Sequence, residues 1–202
     1  MCAALDGRII VIHPGDNQAF PHQIPCQETR CHFLDSVQRL LGTAAHFQVH
    51  LAVENMIPTP HSCRFHTSPT TMITYLRTVA TDRIGLCLDT GHASIGSKHL
   101  SLSAVIQVCN THLIALHLHD TDGTCDRHWI PGQGLVSWPR FFSALFTAGY
   151  SGKYTLEVEA PPGLSQADLT RYLIAARTEL LEQLEAPSPP ASRDVRFGPV
   201  PV

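Results

Sequence analysis

The chain has 202 residues, of which 44% are hydrophobic and 15% are charged, and its formal net charge is −3. A chain of this length buries roughly 70% of the surface that its unfolded form exposes, so it supports one sizeable globular domain and disfavours two large ones. The mildly acidic balance supplies no basic field of the kind that drives non-specific binding to nucleic acids.

The sequence carries no signal for membrane insertion or export. No apolar run approaches the ~18 residues needed to span a bilayer, and the first residues lack the basic and then apolar layout of a signal peptide. The 7 cysteines include no Cys-x-x-Cys pair, and several lie inside apolar runs. We therefore expect a soluble, cytoplasmic protein with free thiols.

Short apolar, β-branched runs alternate with longer stretches of helical periodicity. The predicted elements, in chain order, are a strand at 8–12, a helix at about 27–45, a strand at 47–53, a helix at about 68–80, a strand at 84–88, a helix at 102–109, a strand at 113–118, a helix at 138–146, a strand at 154–158 and a helix at about 165–184. Helices between successive strands indicate parallel strands joined by crossovers, so the predicted fold class is α/β.

The predicted domain organisation is a single domain followed by a short tail. We expect the domain to occupy residues 1–185. Residues 186–202 are rich in proline and lack periodicity. This composition predicts a disordered or loosely docked segment.

Every predicted strand runs into a residue that can bind a metal ion or carry a proton. Following the strands in order, these residues are His13, Glu54, Asp89, His117 and Glu157. His92 lies three residues after Asp89, and the loop after the fourth strand carries Asp126 and His128 two residues apart. A single acid at a strand end is more often a cap or a solvated loop residue, and Asp89 alone would be interpreted as a cap. A potential ligand at every strand end instead predicts one shared site, because the carboxyl ends of parallel barrel strands open on the same side.

The donor set consists of carboxylates and imidazoles without a thiolate. That set suits Mn²⁺, Mg²⁺, Co²⁺ or Zn²⁺ in an open catalytic site better than a closed structural zinc site. If their segment is extended, Asp126 and His128 point to the same side. Apart from these histidines and His119, which follows His117 by two residues, the histidines do not lie at strand ends. They are interpreted as surface or partly buried residues: His22, His32, His46, His50, His61, His66, His99 and His112.

Motifs of several other enzyme classes are missing. The sequence contains no Gly-x-Ser-x-Gly elbow, no P-loop and no dinucleotide-binding fingerprint, so serine hydrolase, nucleoside triphosphatase and Rossmann dehydrogenase functions lack support. The two glycines of Pro131-Gly-Gln-Gly134 favour a plain turn over a phosphate-binding loop.

The ordered motifs resemble the xylose-isomerase-like barrel superfamily, which groups sugar-phosphate isomerases and epimerases with endonuclease IV-type apurinic-site nucleases. The matching segments are Val11-Ile-His-Pro-Gly15, Leu51-Ala-Val-Glu-Asn55, Leu88-Asp-Thr-Gly-His92, Leu116-His-Leu-His-Asp120, Asp126-Arg-His128 with Pro131-Gly-Gln-Gly134, and Gly149-Tyr-Ser-Gly152 with Leu156-Glu157. The resemblance implies a (β/α)₈ barrel of the TIM type and covers residues from about 8 to 160.

In the epimerase branch, the resemblance implies one divalent ion bound by four residues: Glu54, Asp89, His117 and Glu157. Glu54 and Glu157 would then be catalytic, one removing the proton next to a sugar carbonyl and the other returning it. The resemblance further implies that His13, His92 and Arg127 contact substrate hydroxyls or phosphate.

In the nuclease branch, the resemblance implies a trinuclear zinc cluster with additional ligands, for which this chain offers His13, His92, Asp126 and His128. The net charge and the lack of a loop rich in Lys and Arg argue against a nuclease. A third hypothesis is a non-catalytic barrel fragment, which metal content after dialysis would distinguish from the two enzymes.

A (β/α)₈ barrel takes about 250 residues, so this chain is roughly two βα units short. Residues 1–5 resemble the end of a helix that leads into the first predicted strand. We therefore expect a partial barrel of about five to six parallel strands that lacks the first two units. Its open edges would be a liability unless another chain or missing sequence covers them. We therefore expect either a homo-oligomer, or a natural polypeptide that starts upstream of Met1 and of which this chain is a truncated form.

Overall fold

A computed structural model describes residues 6–15, 26–57, 64–79, 81–96 and 101–186. Within these ranges the chain forms five strands: β1 (Ile9–Ile12), β2 (His50–Glu54), β3 (Ile84–Asp89), β4 (Leu113–Leu118) and β5 (Thr155–Leu156). The helices are α1 (Cys26–His46), α2 (Arg64–Thr67), α3 (Pro69–Leu76), α4 (Thr90–Gly96), α5 (Leu102–Cys109), α6 (Trp138–Thr147) and α7 (Gln166–Glu185). Short 3₁₀ turns at Arg77–Val79 and Asn110–His112 precede β3 and β4.

The five strands form one parallel sheet in the order β1-β2-β3-β4-β5. Parallel neighbours need a crossover connection, and the helices supply it between successive strands. The architecture is a partial (β/α) barrel, as the sequence predicts. Because all five strands point the same way, their carboxyl ends meet on one side of the sheet.

The hydrophobic core lies between the sheet and the helices. Leu86 and Leu88 of β3 pack in one cluster with Val37 of α1, Met72 of α3 and Leu145 of α6. Fully burying an aliphatic side chain of this size contributes about 1.5–3 kcal/mol. This cluster fixes the helices against the sheet and so holds the strand ends in register.

Most predicted boundaries agree with the structure, and α5 and β4 agree at both ends. The strand predicted at 47–53 begins only at His50, because the chain turns at Gln48, where φ is 53°. The strand predicted at 154–158 is confined to Thr155–Leu156. The short helices α2 and α4 were not predicted, since neither carries enough apolar residues to show a helical period.

Several expectations fall on parts of the chain that the structure does not describe. The helix end predicted at residues 1–5 and the tail from residue 187 onward lie outside the described residues. In the described ranges no helix is both long enough and apolar enough to cross a membrane. The cysteines whose side chains are described, Cys31, Cys87, Cys109 and Cys125, are free thiols.

Candidate functional site

Four of the predicted ligands are brought together by the register of the sheet. Asp89, the last residue of β3, is the direct neighbour of His117 on β4. Glu54 ends β2, and Glu157 follows β5, where its backbone N–H donates to the carbonyl of Leu118 over 3.1 Å. Each of these residues supplies one donor atom, and all four atoms lie within 4.8 Å of one another. We call Glu54, Asp89, His117 and Glu157 the strand-end cluster.

His117 is at the centre of the strand-end cluster. Its Nδ1 atom lies 3.2 Å from Oε2 of Glu54 and 2.6 Å from Oε2 of Glu157. The Glu54 side chain is 2% exposed, whereas the Glu157 side chain is 40% exposed. The Glu54 carboxylate is therefore fixed inside the protein, whereas the Glu157 side chain is partly exposed although its Oε2 atom is buried.

A second group of donors lies beside the first. One donor atom from each of His92, His119, Asp126 and His128 falls within the same 4.8 Å limit. The Nε2 atoms of His92 and His128 both lie 3.2 Å from Oδ2 of Asp126. We call these four residues the loop cluster, because Asp126 and His128 are carried by the loop after β4.

Backbone carbonyls set the orientation of two imidazoles in the loop cluster. Nδ1 of His92 lies 2.8 Å from the carbonyl of Asn55, and Nδ1 of His128 lies 2.7 Å from the carbonyl of Glu157. A ring that donates from Nδ1 to a carbonyl presents its Nε2 lone pair outward, which is the usual arrangement of metal-binding histidines. Both Nε2 atoms face Asp126.

The backbone at His128 differs from the expected extended form. Its φ is 46°, in the left-handed region, where histidine is more frequent than most residues but still uncommon. The conformation is held from both sides, since Glu159 N–H donates to the carbonyl of His128 and Trp129 pairs with Asp120 through two backbone hydrogen bonds. Asp126 and His128 do meet, but through this turn rather than through an extended segment.

His119 is a site residue to which the sequence analysis assigned no role. It is fully buried, its Nε2 lies 3.0 Å and 3.1 Å from the two carboxylate oxygens of Asp89, and its ring stacks on His128 at 4.1 Å. It therefore links the strand-end cluster to the loop cluster. The signal was present in His117-Leu-His119, because residues two apart at a strand end point to the same side.

Asn55 and Asp120 support the site without belonging to either cluster. The Asn55 amide accepts from the Asp89 backbone N–H at 2.9 Å and donates to the Asp89 carbonyl at 3.2 Å. The buried carboxylate of Asp120 accepts from the backbone N–H groups of Thr121, Gly132 and Val136 and from the indole N–H of Trp138. The Gly132 amide is thus already bound, which agrees with a plain turn rather than a phosphate loop.

Of the three predicted substrate-binding residues, His13 and His92 lie beside Glu54, whereas Arg127 does not contact it. His13 is exposed, and its Nε2 lies 3.4 Å from Oε2 of Glu54. His92 is buried, and its Nδ1 lies 3.4 Å from Oε1 of Glu54. The guanidinium of Arg127 is instead bound to Asp122 at 2.8 Å and lies over the ring of Trp129. Arg127 thus makes its contacts on the exposed loop and not within either cluster.

Close packing of acids and imidazoles shifts the pKa values of residues in both clusters. Burial raises the pKa of Glu54, but His117 and His92 outweigh burial and hold it at about 2. Burial lowers the pKa of His117, but the Cys87 thiol and the neighbouring carboxylates raise it to about 12. Burial also lowers the pKa of His92, whose acidic neighbours raise it to about 10. The raised pKa values of these imidazoles reflect the negative charge of the neighbouring carboxylates, which a divalent cation would offset.

The donor atoms fit a bound cation. Four buried atoms of the two clusters have no hydrogen-bond partner: Nδ1 of His117, Oε2 of Glu157, Nδ1 of His119 and Oδ1 of Asp126. Nδ1 of His117 and Oε2 of Glu157 instead lie 2.6 Å apart in a close ionic contact. Folded proteins leave few buried polar atoms unpaired, and such atoms concentrate where an ion or a catalytic function accounts for them.

Comparison with known proteins identifies the family of this chain. The family model described as "Xylose isomerase-like TIM barrel" matches residues 1–177. The chain belongs to this family. Among curated relatives, an uncharacterised protein of Methanocaldococcus jannaschii is 22% identical over 153 residues, which is 76% of this chain and 51% of that protein. L-ribulose-5-phosphate 3-epimerase UlaE of Salmonella paratyphi A is 28% identical over 131 residues, or 65% of this chain and 44% of the relative.

Solved structures confirm the fold. D-psicose 3-epimerase from Clostridium cellulolyticum, determined with D-tagatose, superimposes with a TM-score of 0.76 at 18% identity, covering 92% of this chain and 67% of that structure. A D-tagatose 3-epimerase-like protein gives a TM-score of 0.73 at 19% identity, with 91% and 64% covered. The family member described here spans about half the length of the curated relatives that it matches.

Proposed function

We propose that this protein is a divalent-metal-dependent sugar or sugar-phosphate isomerase or epimerase that transfers a proton at the carbon next to a carbonyl. The observation that carries the proposal is the pair of glutamates from separate strands, Glu54 and Glu157, which approach the same nitrogen of His117 at 3.2 Å and 2.6 Å. The sugar 3-epimerases among the relatives and structural neighbours support the substrate class.

The strand-end cluster would hold the metal ion. Glu54, Asp89, His117 and Glu157 offer three carboxylates and one imidazole, which suit Mn²⁺, Mg²⁺, Co²⁺ or Zn²⁺. A bound divalent ion would polarise the substrate carbonyl and the adjacent hydroxyl and lower the barrier to breaking the C–H bond between them.

The two glutamates would divide the proton transfers. In one direction, the C–H bond breaks as one carboxylate takes the proton, and the other carboxyl group gives its proton to the opposite face of the same carbon. The two side chains thereby exchange protonation states, so the reverse reaction uses them in the reverse roles. His13, His92 and Arg127 remain our candidates for contacts with substrate hydroxyls or phosphate.

The proposal is tested by exchange of the substrate proton with solvent. In Glu157→Gln, we expect incorporation of solvent deuterium next to the carbonyl of a ketose or ketose phosphate to be abolished. Glu159→Gln is the matched control, since Glu159 lies two residues away and is exposed. Mass spectrometry of the recovered sugar measures the exchange. Retained exchange in Glu157→Gln would remove the mechanism.

The loop cluster favours a second candidate function, a zinc-dependent nuclease acting at apurinic sites. Its four donors provide the additional ligands that a multinuclear centre needs. The net charge of −3 argues against a surface that binds DNA. Cleavage of an abasic oligonucleotide by zinc-loaded protein, without epimerase activity, would establish the nuclease. Metal content near zero after dialysis would instead support a non-catalytic fragment.

We also propose that the protein is cytoplasmic and forms a homo-oligomer. In the described part of the sheet, β1 and β5 each have one edge without a partner strand. Unpaired strand edges tend to associate, so a second copy is expected to cover them. Light scattering after size exclusion should give a mass of at least twice the 22.2 kDa chain. A monodisperse monomer would contradict the oligomer.

A further inference from the structure

Cys87 is a buried thiol on the interior face of β3, beneath the strand-end cluster. Its chain neighbours Leu86 and Leu88 belong to the hydrophobic cluster between the sheet and the helices, whereas Cys87 is equally buried but lies outside that cluster. Side chains alternate along a strand, so Cys87 shares its face with Asp89. In the sequence Cys87 lies in an apolar run, which is typical of a thiol that serves only in packing.

Cys87 lies within reach of two proposed metal ligands. It is the direct strand neighbour of Glu54 in the register of β2 and β3. Its Sγ atom, one oxygen of Glu54 and one ring nitrogen of His117 all lie within 4.8 Å of one another. The Nδ1 atom of His117, as noted, has no hydrogen-bond partner. These three donors come from three adjacent strands and face a common point.

We propose that Cys87 is a sulfur donor to the ion held by Glu54 and His117, and that it makes this centre select thiophilic ions such as Zn²⁺ and Co²⁺ over Mg²⁺ and Mn²⁺. This inference rests on the proposed metal-dependent function and specifies which ion the site takes. Thiolate favours soft metals, whereas a centre of carboxylates and one imidazole alone accepts hard and borderline ions.

The binding step involves no redox change. The S–H bond of Cys87 breaks as the sulfur–metal bond forms, and the proton leaves to solvent. Coordinating thiols are deprotonated by the metal itself, so no additional base is required. The alternative role is packing: a buried cysteine also serves as a small apolar side chain that fills space. The two roles predict different spectra.

The test is a cobalt titration of the full, metal-stripped chain. We expect visible cobalt bands that saturate together with a near-ultraviolet sulfur-to-cobalt charge-transfer band. Cys87→Ser should lose the charge-transfer band and keep the visible bands. Cys109→Ser, a buried control on α5, and Cys125→Ser, an exposed control on the loop after β4, should keep both. In competition, Cys87→Ser should reduce the preference for Zn²⁺ over Mn²⁺ by about tenfold or more, the scale of losses at tuned metal sites.

Each outcome decides the matter. Cobalt bound without a sulfur band, or a sulfur band that survives in Cys87→Ser, would overturn the sulfur donor while leaving the proposed function intact. No cobalt binding at all would overturn both. If Cys87→Ser fails to fold by circular dichroism, Cys87→Ala replaces it, and the cadmium NMR shift of the unsubstituted protein reports sulfur ligation directly.

Discussion

Gly91 determines how closely α4 approaches β4 at the site. A Cβ atom at this position would overlap the imidazole ring of His119. That ring is fully buried, bound to Asp89 and stacked on His128, so moving it would break these contacts. The motif Asp89-Thr-Gly-His92 therefore requires glycine at position 91, because the His119 ring occupies the space that a side chain there would fill.

We expect Gly91→Ala to lower the free energy of unfolding by about 1–3 kcal/mol, as overpacking of a filled interior does. It should also weaken metal binding, because the displaced His119 no longer holds Asp89. Gly42→Ala is the control: Gly42 is exposed in α1 with open space around it, so alanine there should be neutral or stabilising. Urea denaturation measures both, and equal stabilities for the two variants would contradict the role given to Gly91.

At the scale of elements, the loop between β4 and α6 is organised by one buried carboxylate. Asp120 binds donors at both ends of the loop, from Thr121 to the indole of Trp138. The same loop carries Asp126 and His128. Most of the loop lacks regular secondary structure, so its backbone N–H groups have no strand or helix partners. The Asp120 carboxylate accepts hydrogen bonds from several of them instead.

Asp120→Ala is expected to cost about 3 kcal/mol or more, because it leaves several buried N–H groups without the charged acceptor. If the loop cluster binds a second ion, as the nuclease alternative requires, that binding should be lost, while the strand-end cluster, which is carried by the sheet, should still bind one ion. Asp122→Ala is the control, since Asp122 pairs with Arg127 on the outside of the same loop. Stability and metal stoichiometry measured together would refute this assignment if the two variants behaved alike.

For the whole molecule, the carboxylates of the strand-end cluster come from three separate strands. Bringing Glu54, Asp89 and Glu157 within 4.8 Å concentrates negative charge that the unfolded chain disperses. A bound divalent ion offsets that charge only in the folded state. We therefore expect metal binding and folding to be coupled.

We expect a divalent ion at 100 times its dissociation constant to raise the melting temperature by roughly 5–10 °C over the chelator-treated protein. Differential scanning calorimetry with and without the ion measures the shift. Asn55→Ala, which loosens the support of Asp89, should reduce it, while Glu159→Gln should not. A melting temperature that does not depend on the ion would show that the strand-end residues do not form a metal site.

Much of this architecture is encoded locally. The apolar runs of β3 and β4 and the capped helices α3 and α5 were predictable because each signal lies within a few residues along the chain. The parallel sheet followed from the alternation of elements, and parallel strands place residues at their carboxyl ends on one side. This reasoning predicted that Glu54, Asp89, His117 and Glu157 converge, and the structure brings them together.

Other features depend on contacts between segments distant in the sequence. The left-handed backbone at His128 exists because the carbonyl of Glu157 holds the ring and Asp120 holds the following residue. The pairing of Arg127 with Asp122 across the loop after β4 is likewise set by how that loop folds back on itself. The positions of His119 beside Asp89 and of Cys87 beside Glu54 result from the pairing of neighbouring strands, and the sequence of one segment does not specify that pairing.

The sequence alone therefore determined the family, the parallel architecture and the residues at the strand ends, since periodicity and order are properties of the linear chain. Only the tertiary structure decided that the donors form two adjacent clusters joined by His119, and that a thiol faces the first of them. The physical reason is that donor geometry and burial arise from strand register and loop closure, which bring together residues far apart in the chain.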